Sequence, residues 1–322
     1  MKLKKRIKKN IKGFCLISII ILLFLSACSK KYAAEDYASV SVPDGEKIFS
    51  FGLIADCQYC DKPGNIFKNR YYSGAKEKLR YCTETLNSMN LEFTINLGDL
   101  IDRDYKSYDE ILPVFNSLNM PYYHILGNHD YSVADDEKST VPERLGMPGR
   151  FYDFSNNGWR FIFLDGNEIS FFAWPKDSRE YEIAKHYYEE NKIDSPDWNG
   201  AIGQEQLKWL RERLDIAVAS KEKVIVFCHY PVVPAGNKHN LWNADELVSI
   251  MESYECVKAY INGHDHRGGY EFQNGVHYLT VPGMVETKNE NAYAVIDLYK
   301  NAIVVDGYGR CSGRILTYQD FE

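Results

Sequence analysis

The sequence has few of the features that mark membrane, repeat or nucleic-acid-binding proteins. Its longest apolar run, residues 14–25, has twelve residues, which is short of the roughly 20 that a membrane-spanning helix needs. It has no internal repeat, and no linker divides the chain after residue 46. The net charge of −7 argues against binding nucleic acid through a basic face. With 45% hydrophobic and 26% charged residues, the composition is that of a globular protein with a sizeable core.

The first 28 residues differ from the rest of the chain. MKLKKRIKKNIK contains seven Lys or Arg and no acid, and the short apolar run follows it, as in a cleaved signal peptide. The run ends in LSAC, residues 25–28, which resembles a bacterial lipoprotein signal box, in which the Cys becomes the lipidated first residue. We therefore expect a signal peptide at residues 1–27, lipidation at Cys28, a polar tether at 28–46 and a folded domain at 47–320. A plain secretory signal or short anchor with an incidental Cys is the alternative.

These expectations place the protein outside the cytoplasm, anchored by lipid to the bacterial cell envelope on its periplasmic side or surface. Loss of residues 1–27 removes seven positive charges and changes the net charge from −7 to −14. An anionic substrate then needs local positive charge from metal ions or from a few Arg and Lys side chains.

The stretch ADCQYCD, residues 55–61, has two interpretations. Cys57 and Cys60 have the spacing of a redox pair, half a zinc site or a local disulfide. Asp56 and Gln58 follow an apolar run and suit oxygen ligation of a hard metal ion. No second Cys pair accompanies the first, so we expect Asp56 and Gln58 to carry the chemistry.

Apolar periodicity predicts alternating strands and helices. Strands are predicted at 48–55, 91–97, 122–126, 151–154, 160–164, 224–228 and 257–261, and helices at 71–89, 108–118, 203–220 and 244–253. Short strands at 269–273, 276–281, 292–299 and 302–308 follow, and residues 166–200, without a clear period, are predicted to be an insertion. This order predicts an α/β protein with mixed sheets flanked by helices.

Small polar clusters follow five of the predicted strands, where ligands bind in open α/β sheets. They contain two carboxylates, two side-chain amides and three imidazoles: Asp56, Gln58, Asp99, Asn128, His229, His264 and His266. Mixed nitrogen and oxygen donors suit Mn, Fe or Zn better than Ca. Seven ligands are too many for one ion and fit two ions that share a carboxylate. The glycines before Asp99, Asn128 and His264 are expected to permit tight turns.

The motifs D-x-Q, G-D, G-N-H-D, H and G-H-x-H, in this order over residues 56–266, resemble the calcineurin-like metallophosphoesterases. The fold of that family is a β-sandwich flanked by helices, in α-β-β-α layers. Gln58 departs from the usual D-x-H and matches one subgroup, the manganese-dependent ADP-ribose/CDP-alcohol diphosphatases. The segments FGLIADCQY, GQEQLKWL and GYGRCSGRILTY also resemble that subgroup.

The resemblance implies a role for each residue of the clusters. Asp56, Gln58 and His266 would hold one divalent ion, Asn128, His229 and His264 a second, and Asp99 would bridge them. His129 would stabilise or protonate the leaving oxygen, with Asp102 as its orienting partner. Arg70, Arg103 and His239 would lie on the substrate side. Mn²⁺ is the expected metal, with Fe or Zn as alternatives.

The remaining histidines and the tyrosine pair are expected to have structural roles. His124, His186 and His277 lie outside the strand-end clusters, so we expect them to be structural. Tyr71 and Tyr72 are expected to pack rather than to stack on a base.

The expected activity is hydrolysis of the phosphoanhydride in nucleoside diphosphate conjugates such as ADP-ribose or CDP-alcohols, to a nucleoside monophosphate and a phosphate ester. The expected partner is this small molecule, with no nucleic acid and no protein partner. A broad phosphodiesterase or phosphomonoesterase on the same metals, or a binding protein without turnover, are the alternatives.

Overall fold

The computed structural model describes residues 45–319. The predicted signal peptide, Cys28 and nearly all of the predicted tether lie outside these residues. Among the helices of the described region, none has the length and apolar character that crossing a membrane requires.

The described residues form twelve strands and six α-helices. The strands are β1 Phe49–Ile54, β2 Phe93–Asn96, β3 Tyr122–His124, β4 Tyr152–Asn156, β5 Trp159–Phe163, β6 Lys223–Phe227, β7 Val257–Asn262, β8 Gly269–Gln273, β9 Val276–Thr280, β10 Ala292–Leu298, β11 Ala302–Gly309 and β12 Arg314–Thr317. The helices are α1 Ala75–Asn87, α2 Ser107–Phe115, α3 Val141–Arg144, α4 Arg179–Glu190, α5 Gln204–Ser220 and α6 Ala244–Glu252.

The strands form two six-stranded sheets. The first has the order β12-β11-β10-β1-β2-β3 and the second β4-β5-β6-β7-β9-β8. In the first sheet β1, β2 and β3 are parallel neighbours; in the second, β5, β6, β7 and β9 are. Antiparallel strands complete both sheets. The predicted mixed sheets are therefore confirmed.

Three apolar clusters hold the layers together. The largest lies between the sheets and is rich in Phe, including Phe51, Phe161 and Phe227. A second packs α1 and α2 on the outer face of the first sheet through residues such as Leu79 and Ile111. The third packs α5 and α6 on the second sheet. Because each sheet buries both faces, the layers run helix, sheet, sheet, helix.

The sequence prediction misplaced one element and missed three. The first helix begins at Ala75 rather than 71, and α3 and strand β12 were not predicted. The segment 166–200, predicted without regular structure, contains α4, which is capped by the Ser178 side chain accepting from the Tyr181 N–H. This helix buries only Ala184, and Tyr181 and Tyr188 on the same face pack against Phe171. The sequence analysis did not recognise this stripe of tyrosines as a helical pattern.

Candidate active site

The predicted ligands collect at the carboxyl ends of β1, β2, β3, β6 and β7, in both sheets. Four of them have left-handed backbones, with φ of 50° at Asp56, 47° at Gln58, 55° at Asp99 and 66° at His264. Non-glycine residues rarely adopt this conformation, and it concentrates at functional sites. The side chains of Asp56 and Gln58 converge through these left-handed turns rather than from an extended backbone.

Two of the glycines in the motifs serve different purposes. Gly98 has φ of 94° and turns the chain into Asp99. Gly127 has no positive φ, but a Cβ there would lie 2.1 Å from Oδ1 of Asp99. Gly127 therefore does not use the left-handed conformation that glycine permits. Gly127 is needed because the loop after β3 passes directly over the Asp99 carboxylate.

The predicted ligands of the first ion lie within contact distance of each other. Nε2 of His266 is 3.2 Å from Oδ1 of Asp56 and 3.3 Å from Nε2 of Gln58. Burial lowers the pKa of the His266 imidazole, and Asp56 more than offsets this, so the pKa is raised. Behind the ring, Nδ1 lies 3.4 Å from Oε1 of Glu286, a residue that the sequence analysis missed.

Gln58 is held from two sides. Its Oε1 atom accepts a 2.7 Å hydrogen bond from Nη1 of Arg70, and its Nε2 atom donates to Oδ2 of Asp99 at 2.9 Å. The amide nitrogen therefore faces the predicted metal position. Oxygen ligation by Gln58 requires its amide to turn over and to release Arg70, the predicted diphosphate contact.

On the second sheet, two imidazoles face each other. Nε2 of His229 lies 3.0 Å from Nδ1 of His264 and 3.4 Å from Oδ2 of Asp99. These three residues form a group whose ligand atoms all lie within 4.8 Å of one another. Burial works against the ionised form of Asp99, but His229 and His129 hold its pKa below the ordinary value. A buried carboxylate between imidazoles is suited to bridging two cations.

The polar atoms of this cluster fit divalent ions. Oδ1 of Asn128 is buried and has no hydrogen-bond partner among the described residues, although a buried carbonyl oxygen normally has one. The seven predicted ligands combine imidazole, carboxylate and amide donors, and no thiol is among them, which suits Mn, Fe or Zn. When bound, divalent ions would polarise the phosphoryl oxygens and neutralise the charge that develops on them.

A second group of side chains lies beside the predicted ligands. Nδ1 of His129 is 2.7 Å from Oδ1 of Asp102, and Nε of Arg103 donates to Oδ2 of Asp102 at 2.6 Å. Burial lowers the pKa of His129, but Asp99 and Asp102 outweigh it and raise the pKa. This favours a protonated imidazole, as an acid for a leaving oxygen needs.

Asp130 organises the loops that carry Asp99 and His129, and the sequence analysis assigned it no role. Its carboxylate accepts from the N–H groups of Asp99, Leu100 and Gly127 and from the Tyr108 hydroxyl. Burial, with Asp99 nearby, raises its pKa to about 6. Its position next to His129 in the G-N-H-D motif was the available signal.

The two thiols of the C-x-x-C motif point away from the predicted ligands. Cys57 belongs to the apolar cluster under α1, and Cys60 packs with Tyr72 and Val285. Burial raises the pKa to about 12 for Cys57 and to about 11 for Cys60. The six cysteines of the described region are all free, so the possible local disulfide is not formed.

The other histidines and Tyr72, which the sequence analysis did not assign to the metal ions, lie at the rim of the site or away from it. His239 lies at the rim, with Nδ1 3.5 Å from Oδ2 of Asp265. His124 and His277 are buried and form hydrogen bonds away from the predicted metal ligands. His186 pairs with Glu190 on α4. These positions agree with the prediction that the three histidines have structural roles. Tyr72 is buried, as expected for a packing residue.

Comparison with known proteins places this geometry in a family. A model of the calcineurin-like phosphoesterase family matches residues 49–268. The chain belongs to this family. It is therefore a metal-dependent hydrolase of phosphoesters or phosphoanhydrides, whose fold takes two divalent ions.

Three relatives cover most of the chain. Two of them are named manganese-dependent ADP-ribose/CDP-alcohol diphosphatase. The protein from Oryza sativa is 33% identical over 81% of this chain and 92% of its own length. The protein from Homo sapiens is 28% identical over 85% of this chain and 94% of its own length. A dimetal phosphatase from Danio rerio aligns in structure with a TM-score of 0.77 and 25% identity, over 85% of this chain and all of that one.

Proposed function

We propose that the protein hydrolyses the phosphoanhydride of nucleoside diphosphate conjugates such as ADP-ribose or CDP-alcohols, with Mn²⁺ as the preferred metal. The names of the Oryza sativa and Homo sapiens relatives support this proposal. The observation on this chain that carries it is a cleft whose lining includes Arg103, the ion-pair partner of Asp102.

The cleft combines aromatic and cationic side chains. Its volume is about 510 Å³, and its lining includes Lys62, Phe67, Tyr72 and Arg103. Phe67 is fully exposed to solvent and its neighbour Ile66 is 74% exposed, so the two side chains form an exposed apolar patch, a feature that can mark a ligand-binding groove. An exposed ring can stack on a nucleobase, and two cations suit a diphosphate. A simple phosphomonoester would use neither the ring nor the volume.

Proton transfer in the proposed reaction depends on His129. Because Asp102 holds Nδ1, the Nε2 atom of His129 is left to face the substrate. As a water oxygen bonds to phosphorus and loses a proton to solvent, the anhydride P–O bond breaks and the leaving phosphate oxygen takes a proton from Nε2. Solvent then returns a proton to His129. Arg103 keeps Asp102 ionised, since it forms an ion pair with the same carboxylate. The products are a nucleoside monophosphate and a second phosphate ester.

A substrate panel tests the proposal. Purified residues 29–322 with Mn²⁺ are assayed on ADP-ribose, CDP-choline, bis(p-nitrophenyl) phosphate and p-nitrophenyl phosphate. We expect kcat/KM for a conjugate to equal or exceed that for the monoester, and Mn²⁺ to be the best of the common divalent ions. A kcat/KM for the monoester far above that for the conjugates would contradict the proposed substrate class and leave only the family assignment.

A matched pair of variants tests the cleft. Phe67→Ala removes the exposed ring beside Arg103, and Phe272→Ala removes a ring that is 54% exposed on β8. Stacking on a base contributes about 1–3 kcal/mol, so Phe67→Ala should raise KM for ADP-ribose roughly 5- to 150-fold. Its effect on p-nitrophenyl phosphate should be small. Equal effects of the two variants on ADP-ribose would contradict the assignment of the cleft.

A further inference from the structure

The segment between β5 and α5 places a buried amide behind one of the predicted metal ligands. Asn199 is fully buried, and its Oδ1 atom lies 3.0 Å from Nε2 of His264. Its Nδ2 atom donates to the carbonyl of Lys238 at 2.7 Å and to Oγ of Ser195 at 3.0 Å. Because the nitrogen serves two acceptors, the oxygen is the atom that faces His264.

This orientation determines the tautomer of His264. An acceptor at Nε2 requires that nitrogen to carry the hydrogen, so Nδ1 is left with its lone pair toward the site. His229 is oriented in the same way, because its Nδ1 lies 2.8 Å from the Leu97 carbonyl and Nε2 is left to face the site. The two lone pairs then meet at 3.0 Å, an arrangement that a shared cation stabilises.

We propose that Asn199 is a positioning residue for the second divalent ion, because it holds His264 in the tautomer that presents Nδ1 to the metal. The proposal rests on the two-metal site of the proposed function and is independent of the substrate. Partners that fix the second nitrogen of a ligating imidazole affect metal affinity by about 10- to 100-fold.

The backbone around Asn199 is packed so closely that the amide cannot easily move aside. A Cβ on Gly200 would lie 2.3 Å from the carbonyl oxygen of Gly166, and Ile169 and Ala201 form a backbone bridge. The Trp198 ring lies with its centroid 5.1 Å from that of His264. The segment therefore packs closely behind the imidazole of His264.

The competing interpretation is that Asn199 only ties this segment to the loop that contains Lys238. Asn240 provides the matched control, since it is also buried and its Nδ2 donates to the carbonyl of Pro234, in the same loop, at 2.9 Å. Asn240→Ala removes an equivalent tie, and no hydrogen bond connects Asn240 to His264 among the described contacts.

The test is calorimetric titration of metal-free protein with Mn²⁺, with a count of ions retained after dialysis. Asn199→Ala should bind the first ion normally and the second about 10- to 100-fold more weakly. Asn199→Asp keeps an acceptor for His264 and loses both donated bonds, so it should bind both ions with close to native affinity. Asn240→Ala should retain both ions, and its Tm should fall about as far as that of Asn199→Ala.

Three outcomes would overturn the proposal. Native binding of the second ion by Asn199→Ala would show that the acceptor is not needed. Equal loss of metal in Asn199→Ala and Asn240→Ala would assign a structural role only, as would failure of Asn199→Asp to restore binding. Metal titration does not involve a substrate, so the proposed substrate class can fail in the panel assay without affecting this result.

Discussion

Both oxygens of the Asp102 carboxylate are occupied, one by His129 at 2.7 Å and the other by Arg103 at 2.6 Å. The ring of His129 is therefore fixed through Nδ1, and its backbone N–H donates to Oδ1 of Asp99 at 2.7 Å. The main chain of His129 thus contacts the carboxylate of Asp99, which is predicted to bridge the ions, while its side chain pairs with Asp102. This separation allows the roles of Asp99 and His129 to be distinguished experimentally.

His129→Ala should abolish most turnover without loss of metal. General acid catalysis contributes about 10²–10⁴ in rate, so we expect kcat to fall by that factor while two ions remain bound. The measurement combines steady-state kinetics with metal analysis after gel filtration. A variant that loses an ion would show His129 to be a ligand.

Asp99→Asn should fail in a different way, because its carboxylate lies between the two groups of imidazoles. Replacing a bridging carboxylate by an amide removes one negative charge shared by two cations, so both metal content and rate should fall. His186→Ala, on the exposed face of α4, is the control and should retain native metal content. An Asp99→Asn protein with two tightly bound ions would refute the bridging role.

The double variant Cys57→Ser/Cys60→Ser should retain two ions and most of the activity. The thiols are buried, with Sγ of Cys57 directed at the Ala75 carbonyl and Sγ of Cys60 3.8 Å from Oδ2 of Asp102. Burial raises their pKa values to about 12 and about 11, so they are protonated at neutral pH and poor ligands. In the native folded protein they should also resist alkylation by iodoacetamide at pH 8. Rapid alkylation, or loss of metal from the double variant, would favour the thiol interpretation of ADCQYCD.

Gln58→Ala should weaken the first metal position and raise the Mn²⁺ concentration for half-maximal rate by at least about tenfold. The change also releases Arg70 from its 2.7 Å hydrogen bond, so Arg70→Met is needed as a control. We expect Arg70→Met to raise KM without raising the Mn²⁺ requirement, because oxygen ligation by Gln58 itself requires the release of Arg70. Equal shifts in the Mn²⁺ requirement would mean that Gln58 acts only through Arg70. Gln58→His should keep two ions.

The proposed lipid anchor is tested by Cys28→Ser, expressed in a bacterial host that processes lipoproteins. Lipoprotein modification supplies more than one acyl chain, which stable membrane binding requires. We expect the native protein in the membrane fraction and the variant in the soluble fraction, as measured by fractionation in high salt. A variant that remains with the membranes would contradict lipidation at Cys28.

Much of the candidate site could be predicted because its residues lie directly after strands. A buried parallel strand has a recognisable apolar run, and the carboxyl ends of such strands meet at one edge. Asp56, Asp99, Asn128, His229 and His264 all follow strands that the sequence predicted. Asn199 and Glu286 could not be found in this way, because they lie in loops whose positions depend on packing against distant segments.

The sequence by itself determined the types of donor atoms, their order along the chain and the mixed α/β class, since these depend on residue identity and local periodicity. Only the tertiary structure decided how the donors are oriented. The left-handed turns at Asp56 and Gln58, the Arg70 contact that directs the Gln58 amide, and the Asn199 amide behind His264 all arise from contacts between segments far apart in sequence. Hydrogen bonds between such segments select one rotamer or tautomer, and local sequence does not contain that information.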